Sequence, residues 1–305
     1  MTVLVIVGPT AVGKSSLAVA VAQQLASLGA QAEIVSADSM QAYIGMDIGT
    51  ATPSSHERGG IVHHLLDVWP VEHPLTVVDF QQAARAAIED ISARECLPIV
   101  VGGSGLYISA ILDDLQFPAT DADVRARFEE ELQRLGPQVL HAQLAEVDPE
   151  AAAAILPTNG RRIVRALEVV ELTGEPFIAQ LPDPVELYPC VRVGLRIERT
   201  ELDERIALRV HEMFDAGFVD EVRALPGLAQ TLTASRALGY TQVLEYLAGD
   251  CTVDEAIATT IGVTSKFARR QQRWFARDTR ITWLDYKDSA LVERVVELLG
   301  ADTRQ

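Results

Sequence analysis

The sequence predicts an α/β protein, with a parallel sheet covered by helices and interrupted by a helical insertion. Three observations predict it. A glycine-rich turn joins an apolar run to a helical pattern at the start of the chain. Strand-like and helix-like segments then alternate up to the helix that follows residue 107. From about residue 121 to 179 the text becomes charged and helical, with no convincing strand.

Each element has its local reason. Residues 3–7 form a continuous apolar run suited to a buried strand, and residues 14–28 repeat with helical period up to Gly29, a fitting stop. Residues 33–37 read as a second short strand and 45–53 as a loop. Residues 61–69 are a further candidate strand, and 78–93 a helix with Phe80, Ala84, Ala87 and Ile91 on one face. "LPIVVGGSGLY" (97–107) is a buried strand running through a glycine turn into a helix. Pro137, Pro149 and Pro157 punctuate short helices in the charged stretch, and a proline-rich connector covers 181–190. Residues 191–197 return to strand character, followed by long helical patterns at 202–225 and 253–275 and a late strand at 281–285. The predicted organisation is core over 1–120, helical insertion over 121–190 and return to the core over 191–305.

The totals narrow the function classes. At 305 residues the chain can bury a full core, and its 48% hydrophobic content is ordinary for a globular protein. No apolar stretch reaches the ~20 residues of a membrane span, and the first apolar run is short for a signal peptide, so a cytoplasmic protein is expected. Cys96, Cys190 and Cys251 form no CxxC pair, which argues against zinc and for core thiols. A net charge of −17 disfavours indiscriminate nucleic-acid binding. Two basic clusters stand out: 160–165 with Arg161, Arg162 and Arg165, and 265–280 with Lys266, Arg269, Arg270, Arg273, Arg277 and Arg280. Each is either a local polyanion footprint or a solvated helix face paired with acids.

The turn itself is a phosphate cradle. Gly8, Pro9, Thr10, Ala11, Val12, Gly13, Lys14 and Ser15 match G-x-x-x-x-G-K-[ST], between strand and helix as the pattern requires. Its backbone N–H groups and the helix start favour an anion. Lys14 adds a compact cation, and the Ser15 hydroxyl is a candidate Mg²⁺ ligand. This makes the predicted core P-loop NTPase-like, and a P-loop ordinarily means ATP. Yet the strand at 97–102 runs into glycines rather than an acidic Mg²⁺ partner, and no guanine-reading motif is visible. The bound group is therefore equally a diphosphate that leaves. Asp38 should lie near the cradle, beyond the carboxyl end of the second strand. It is either a base there or a turn cap.

Taken together, "GPTAVGKS" (8–15), "DSMQAY" (38–43), "GMDIGTATP" (45–53), "HHLLD" (63–67), "VGGSGLY" (101–107), "RRIVRALEV" (161–169) and "RALGY" (236–240) resemble the tRNA dimethylallyltransferases, or tRNA isopentenyltransferases, in order over most of the chain. The resemblance implies a P-loop NTPase-like (kinase-like) core with a helical insertion, and transfer of a dimethylallyl group from dimethylallyl diphosphate to the exocyclic amine of the adenine 3′ of the tRNA anticodon. It implies Asp38 as general base, with Thr10, Ser104 and Arg209 also catalytic, and Arg209 as a diphosphate ligand. Arg205, one turn before Arg209, either shares that task or pairs with acids. The tRNA contacts it implies are Asp38, Ser39, Met40, Gln41, Ser104, Arg125, Arg161, Arg162, Ile163, Val164, Arg165, Arg236, Gly239 and Tyr240, with Thr241 closing the last segment. Mg²⁺ is the implied cofactor, bound through Ser15, and the anticodon stem-loop the implied partner of a monomer. The target base would be flipped from its stack, and arginines would gather on one face of an acidic body. Two departures stand out: Ser104 replaces the usual Thr, and Thr52 stands where Lys is expected. A P-loop kinase of a nucleotide or small metabolite is the alternative enzyme, and an ATP-gated RNA-binding module the non-catalytic one.

Overall fold

The structure is a computed structural model that describes residues 2–178 and 182–302. Two compact units emerge, one from residues 1–113 and 186–305, the other from residues 114–185.

The first unit is built on six parallel strands: β1 (Val3–Val7), β2 (Ala32–Ser36), β3 (His63–His64), β4 (Leu97–Gly102), β5 (Cys190–Arg196) and β6 (Thr282–Asp285), in the order β3-β2-β4-β1-β5-β6. The central strands are apolar without alternation because both faces are covered. Along β1, Val3, Val5 and Val7 enter one core while Leu4 and Ile6 enter the other, as the two-residue strand period dictates. All five are buried, each contributing on the order of 2 kcal/mol of apolar transfer. The helices are α1 (Lys14–Ser27), α2 (Val77–Ala93) and α3 (Gly105–Leu112) before the insertion. After it come α8 (Arg199–Asp215), α9 (Phe218–Arg223), α10 (Tyr240–Ala248), α11 (Val253–Phe275) and α12 (Leu291–Asp302). Thr76 with Asp79 and Thr252 with Glu255 close reciprocal caps on α2 and α11, fixing where those helices begin.

The second unit packs α4 (Ala122–Leu135), α5 (Pro137–Val147), α6 (Pro149–Ala154) and α7 (Gly160–Thr173) around Phe128, Leu140, Leu144, Ile155, Ile163 and Leu167. Asp121, Asp148 and Asn159 cap helix starts with their side chains, and prolines occupy the first positions of α5 and α6, where no N–H is missed.

Several expectations are corrected. Between 61 and 69 the sheet keeps only His63–His64, because positive φ angles at Leu65 and Asp67 turn the chain away, and Trp69 forms an isolated bridge with Tyr43. The long helix expected over 202–225 breaks at Gly217, whose φ of 98° no helix allows. Residues 114–120 belong to the helical unit, since Arg165 donates to the carbonyls of Pro118 and Ala119. Residues 186–190 belong to the sheet unit: Glu186 bridges Asp113, and Cys190 starts β5 beside Val3. The proline-rich connector begins at residue 181, and the charged stretch ends at 179, both outside the described residues. Among the described residues no helix is long and apolar enough to cross a membrane.

Candidate active site

The carboxyl ends of β1, β2 and β4 bring the site together. Val7 pairs with Gly102 and Ser36 with Val101, so the turns leaving the three strands are neighbours. The turn after β1 is the phosphate loop, with Ala11 at φ 63° and Gly13 at φ 100° before Lys14 opens α1. Three elements distant in sequence hold it. From α11, the buried Gln271 carboxamide oxygen accepts the Thr10 backbone N–H at 2.9 Å. From α8, Arg205 donates to the Ala11 carbonyl at 2.8 Å, its guanidinium 5.2 Å from the centre of the Tyr286 ring. One helical turn on, Arg209 donates to the Thr10 hydroxyl at 3.3 Å and to the Thr50 carbonyl at 3.4 Å. Arg205 thus grips the loop. Gln271 was not legible in the sequence, where it is an unremarked amide inside a basic segment.

Lys14 folds back onto the Pro9 carbonyl at 2.8 Å. Burial and the nearby Arg209 charge push its ammonium down to about 8, while Asp38 opposes them. Arg209 is likewise lowered, first by burial, with Asp38 and Glu212 pulling the other way. Neither cation makes an ion pair among the described residues. Two positive groups, partly stripped of water and held beside a row of backbone amides, are an arrangement completed by a polyanion.

Asp38 lies beside them, half-buried. One carboxylate oxygen caps its own turn by accepting the Met40 N–H at 3.0 Å, and its backbone N–H meets the Ser36 hydroxyl at 3.3 Å. It therefore caps a turn while its charge acts on Lys14 and Arg209. Gln41 accepts from Ser36 at 2.9 Å and donates to the carbonyls of Thr50 and Ala51 at 3.3 and 3.2 Å. Ser39 is buried against Tyr107, whose phenol is raised chiefly by burial, and Met40 packs on the core. Ser104 opens α3 without spending its hydroxyl as a cap. Ser15 is exposed in the first turn of α1. Thr52, the missing lysine, instead shares a hydroxyl contact of 2.8 Å with Thr50.

Other expected residues lie elsewhere. Tyr240 is fully buried, its hydroxyl given to Glu221 at 2.5 Å, so it is corrected from an RNA contact to a packing position, and Gly239 is a buried backbone position where a Cβ would meet the Phe218 ring. Ile163 and Val164 are core residues of the helical unit, for the same reason. Arg125 and Arg165 both pair with Glu168, a carboxylate of zero exposure that also accepts the Asp121 N–H. Arg161, Arg162 and Arg236 are exposed. In the basic segment Lys266, Arg270, Arg273 and Arg277 are exposed, whereas Arg269 pairs with Asp203 and Arg280 with Asp113 and Asp278. The three cysteines are free, and burial pushes the Cys190 thiol up to about 12.

A family model described as IPP transferase matches residues 41–278. A tRNA dimethylallyltransferase of Thermobifida fusca is 60% identical over 98% of this chain and 94% of its own. Among solved structures, a full-length tRNA isopentenylpyrophosphate transferase of Bacillus halodurans matches with a TM-score of 0.73 and 37% identity, over 99% of this chain and 97% of its own. A eukaryotic dimethylallyltransferase acting on tRNA shares the fold, with a TM-score of 0.76 at 23% identity over 98% of this chain and 77% of its own.

Proposed function

We infer the function of this chain from one premise: it belongs to the IPP transferase family. It is a tRNA dimethylallyltransferase, moving a dimethylallyl group from its diphosphate to the exocyclic amine of the adenine next to the anticodon. The observation that carries the reading is the pair of partly buried, unpaired cations, Lys14 and Arg209, with Asp38 beside them.

The division of labour follows from charge. As the allylic C–O bond breaks, negative charge grows on the diphosphate, and Lys14, Arg209 and the loop N–H groups other than that of Thr10, which Gln271 takes, neutralise it. The C–N bond forms to the adenine amine, and Asp38 takes the proton that the amine loses. The Thr10 hydroxyl, turned by Arg209, and the unspent Ser104 hydroxyl remain to orient donor and base. Among the described residues no group of three His, Cys, Asp or Glu side chains could cage a metal. The exposed Ser15 hydroxyl suits an ion held mainly by substrate oxygens and water, which is how Mg²⁺ commonly binds. Mg²⁺ held there would supply further neutralisation of the diphosphate.

For the tRNA, the 38–41 turn reads the flipped base. Each unit offers its own exposed cations to the phosphates: Arg161 and Arg162 in one, Arg236, Lys266, Arg270, Arg273 and Arg277 in the other. The chain would do this as a monomer in the cytoplasm, where tRNA is.

The test is incubation with unmodified tRNA, Mg²⁺ and labelled dimethylallyl diphosphate, with and without ATP. Label enters tRNA in both cases, and Asp38→Asn slows entry by about 10²–10⁴-fold. Phosphate transfer from ATP without tRNA labelling would contradict the reading.

A further inference from the structure

We propose that Glu221 is a positioning residue for the transfer, fixing the 47–51 loop whose carbonyls hold Arg209 and Gln41; this rests on the function inferred above. Glu221 sits on the short helix α9, outside every segment that the family resemblance drew on. Its carboxylate is saturated. One oxygen accepts the backbone N–H groups of Asp47 at 2.9 Å and Ile48 at 2.6 Å. The other accepts the Gly49 N–H at 3.2 Å and the Tyr240 hydroxyl at 2.5 Å. Three successive amides cupped on one anion form a nest that the protein fills from within. Gly49 seals the arrangement: a Cβ there would collide with the rings of Phe218 and Tyr240.

The residues immediately after this clamp do the work. Thr50 and Ala51 turn their carbonyls to the site, Ala51 at a left-handed φ of 49°. The Thr50 carbonyl accepts from Arg209 at 3.4 Å and from Gln41 at 3.3 Å, and the Ala51 carbonyl accepts from Gln41 at 3.2 Å. Arg209 in turn holds the Thr10 hydroxyl of the phosphate loop. Gln41 continues through Ser36 to the backbone of Asp38. One loop therefore sets both the cation that meets the diphosphate and the amide beside the base. Displacing it moves the two together, and the carboxylate of Glu221 is what keeps it in place.

Glu221→Gln tests this with little change of shape. A carboxamide has one acceptor oxygen, and its NH₂ would face donors, so at least one amide of the nest loses its partner. Steady-state rates are measured with each substrate varied in turn. In parallel, calorimetry follows binding of inorganic diphosphate with Mg²⁺. The expected result is a turnover at least tenfold lower, a KM for dimethylallyl diphosphate at least fivefold higher, and diphosphate binding weakened by a similar factor. A merely structural role would lower the melting temperature or the active fraction and leave KM and diphosphate affinity unchanged. Values within twofold of the wild type in a folded Glu221→Gln would overturn the proposal.

If Glu221→Gln does not fold, Tyr240→Phe removes a single bond from the same carboxylate. The KM for the allylic diphosphate should then rise about two- to threefold, and an unchanged KM and affinity would again overturn the proposal. The binding arm is read even if the wild-type chain transfers no prenyl group, a result that would sink the functional reading separately from this one.

Discussion

Arginine plays opposite parts in the two units. In the helical unit Arg125 and Arg165 converge on Glu168, a carboxylate with no exposed surface whose pKa they lower against its burial. In the sheet unit Arg209 and Lys14 are partly buried with no carboxylate in ion-pair contact among the described residues, and burial lowers both. The first pair is architecture: its charge is spent inside the protein. The second lacks such a partner among the described residues, as the proposed diphosphate site requires. A cation's sequence neighbours do not separate these cases; what faces it in three dimensions does.

The largest expected effect lies with the second pair. Lys14→Ala or Arg209→Ala should cost at least 10²-fold in kcat/KM for the allylic diphosphate, the scale of removing one charge-stabilising group. Stability should respond in the reverse order. Arg165→Ala leaves a buried carboxylate with one guanidinium fewer and should lower the stability of the helical unit by about 2–3 kcal/mol, read by thermal or urea unfolding. Lys14→Met should leave stability unchanged or raised, because it removes a cation that folding desolvates. Equal losses in the two variants would erase the contrast.

A smaller effect concerns alkaline pH. Lys14 titrates near 8 when folded and near 10.5 when unfolded, so between those values the unfolded chain holds more protons. Stability should therefore rise from pH 8 to 10.5 through this group, a rise absent in Lys14→Met. The smallest prediction is at acid pH. Arg94, and secondarily His64, holds Glu33 down to about 2, against burial. The folded form is depressed, so this contribution is intact above pH 4.5 and disappears as pH falls toward 2. Glu33→Gln should flatten that part of an acid unfolding curve.

Much of this was legible beforehand. The strand period of residues 3–7 and the spacing of Gly8, Gly13 and Lys14 are local signals, and they predicted the sheet and the cradle. Asp38 was placed by a rule about strand ends; its carboxylate caps a turn, and the proposed role as base is what Asp38→Asn tests. The failures have physical reasons. Tyr240, Ile163 and Val164 travelled inside motifs with charged neighbours, but the motif does not say which side chains face inward. Gln271, Thr50 and Glu221 act through contacts spanning more than 150 residues, such as the bonds from Gln271 to Thr10 and from Glu221 to Gly49, and no local period encodes these. The two-residue β3 was overestimated because apolar text continues after the chain has turned away at Leu65.

Lys14, whose ammonium burial and the Arg209 charge hold down to about 8, should regain its proton when diphosphate binds. Calorimetric titration with Mg²⁺ and inorganic diphosphate at pH 9, repeated in two buffers of different ionisation enthalpy, counts the protons exchanged on binding. Lys14→Arg, which stays charged throughout, is the reference. The wild type should take up more protons than Lys14→Arg, by an amount approaching one. Identical proton exchange in the two proteins would contradict it.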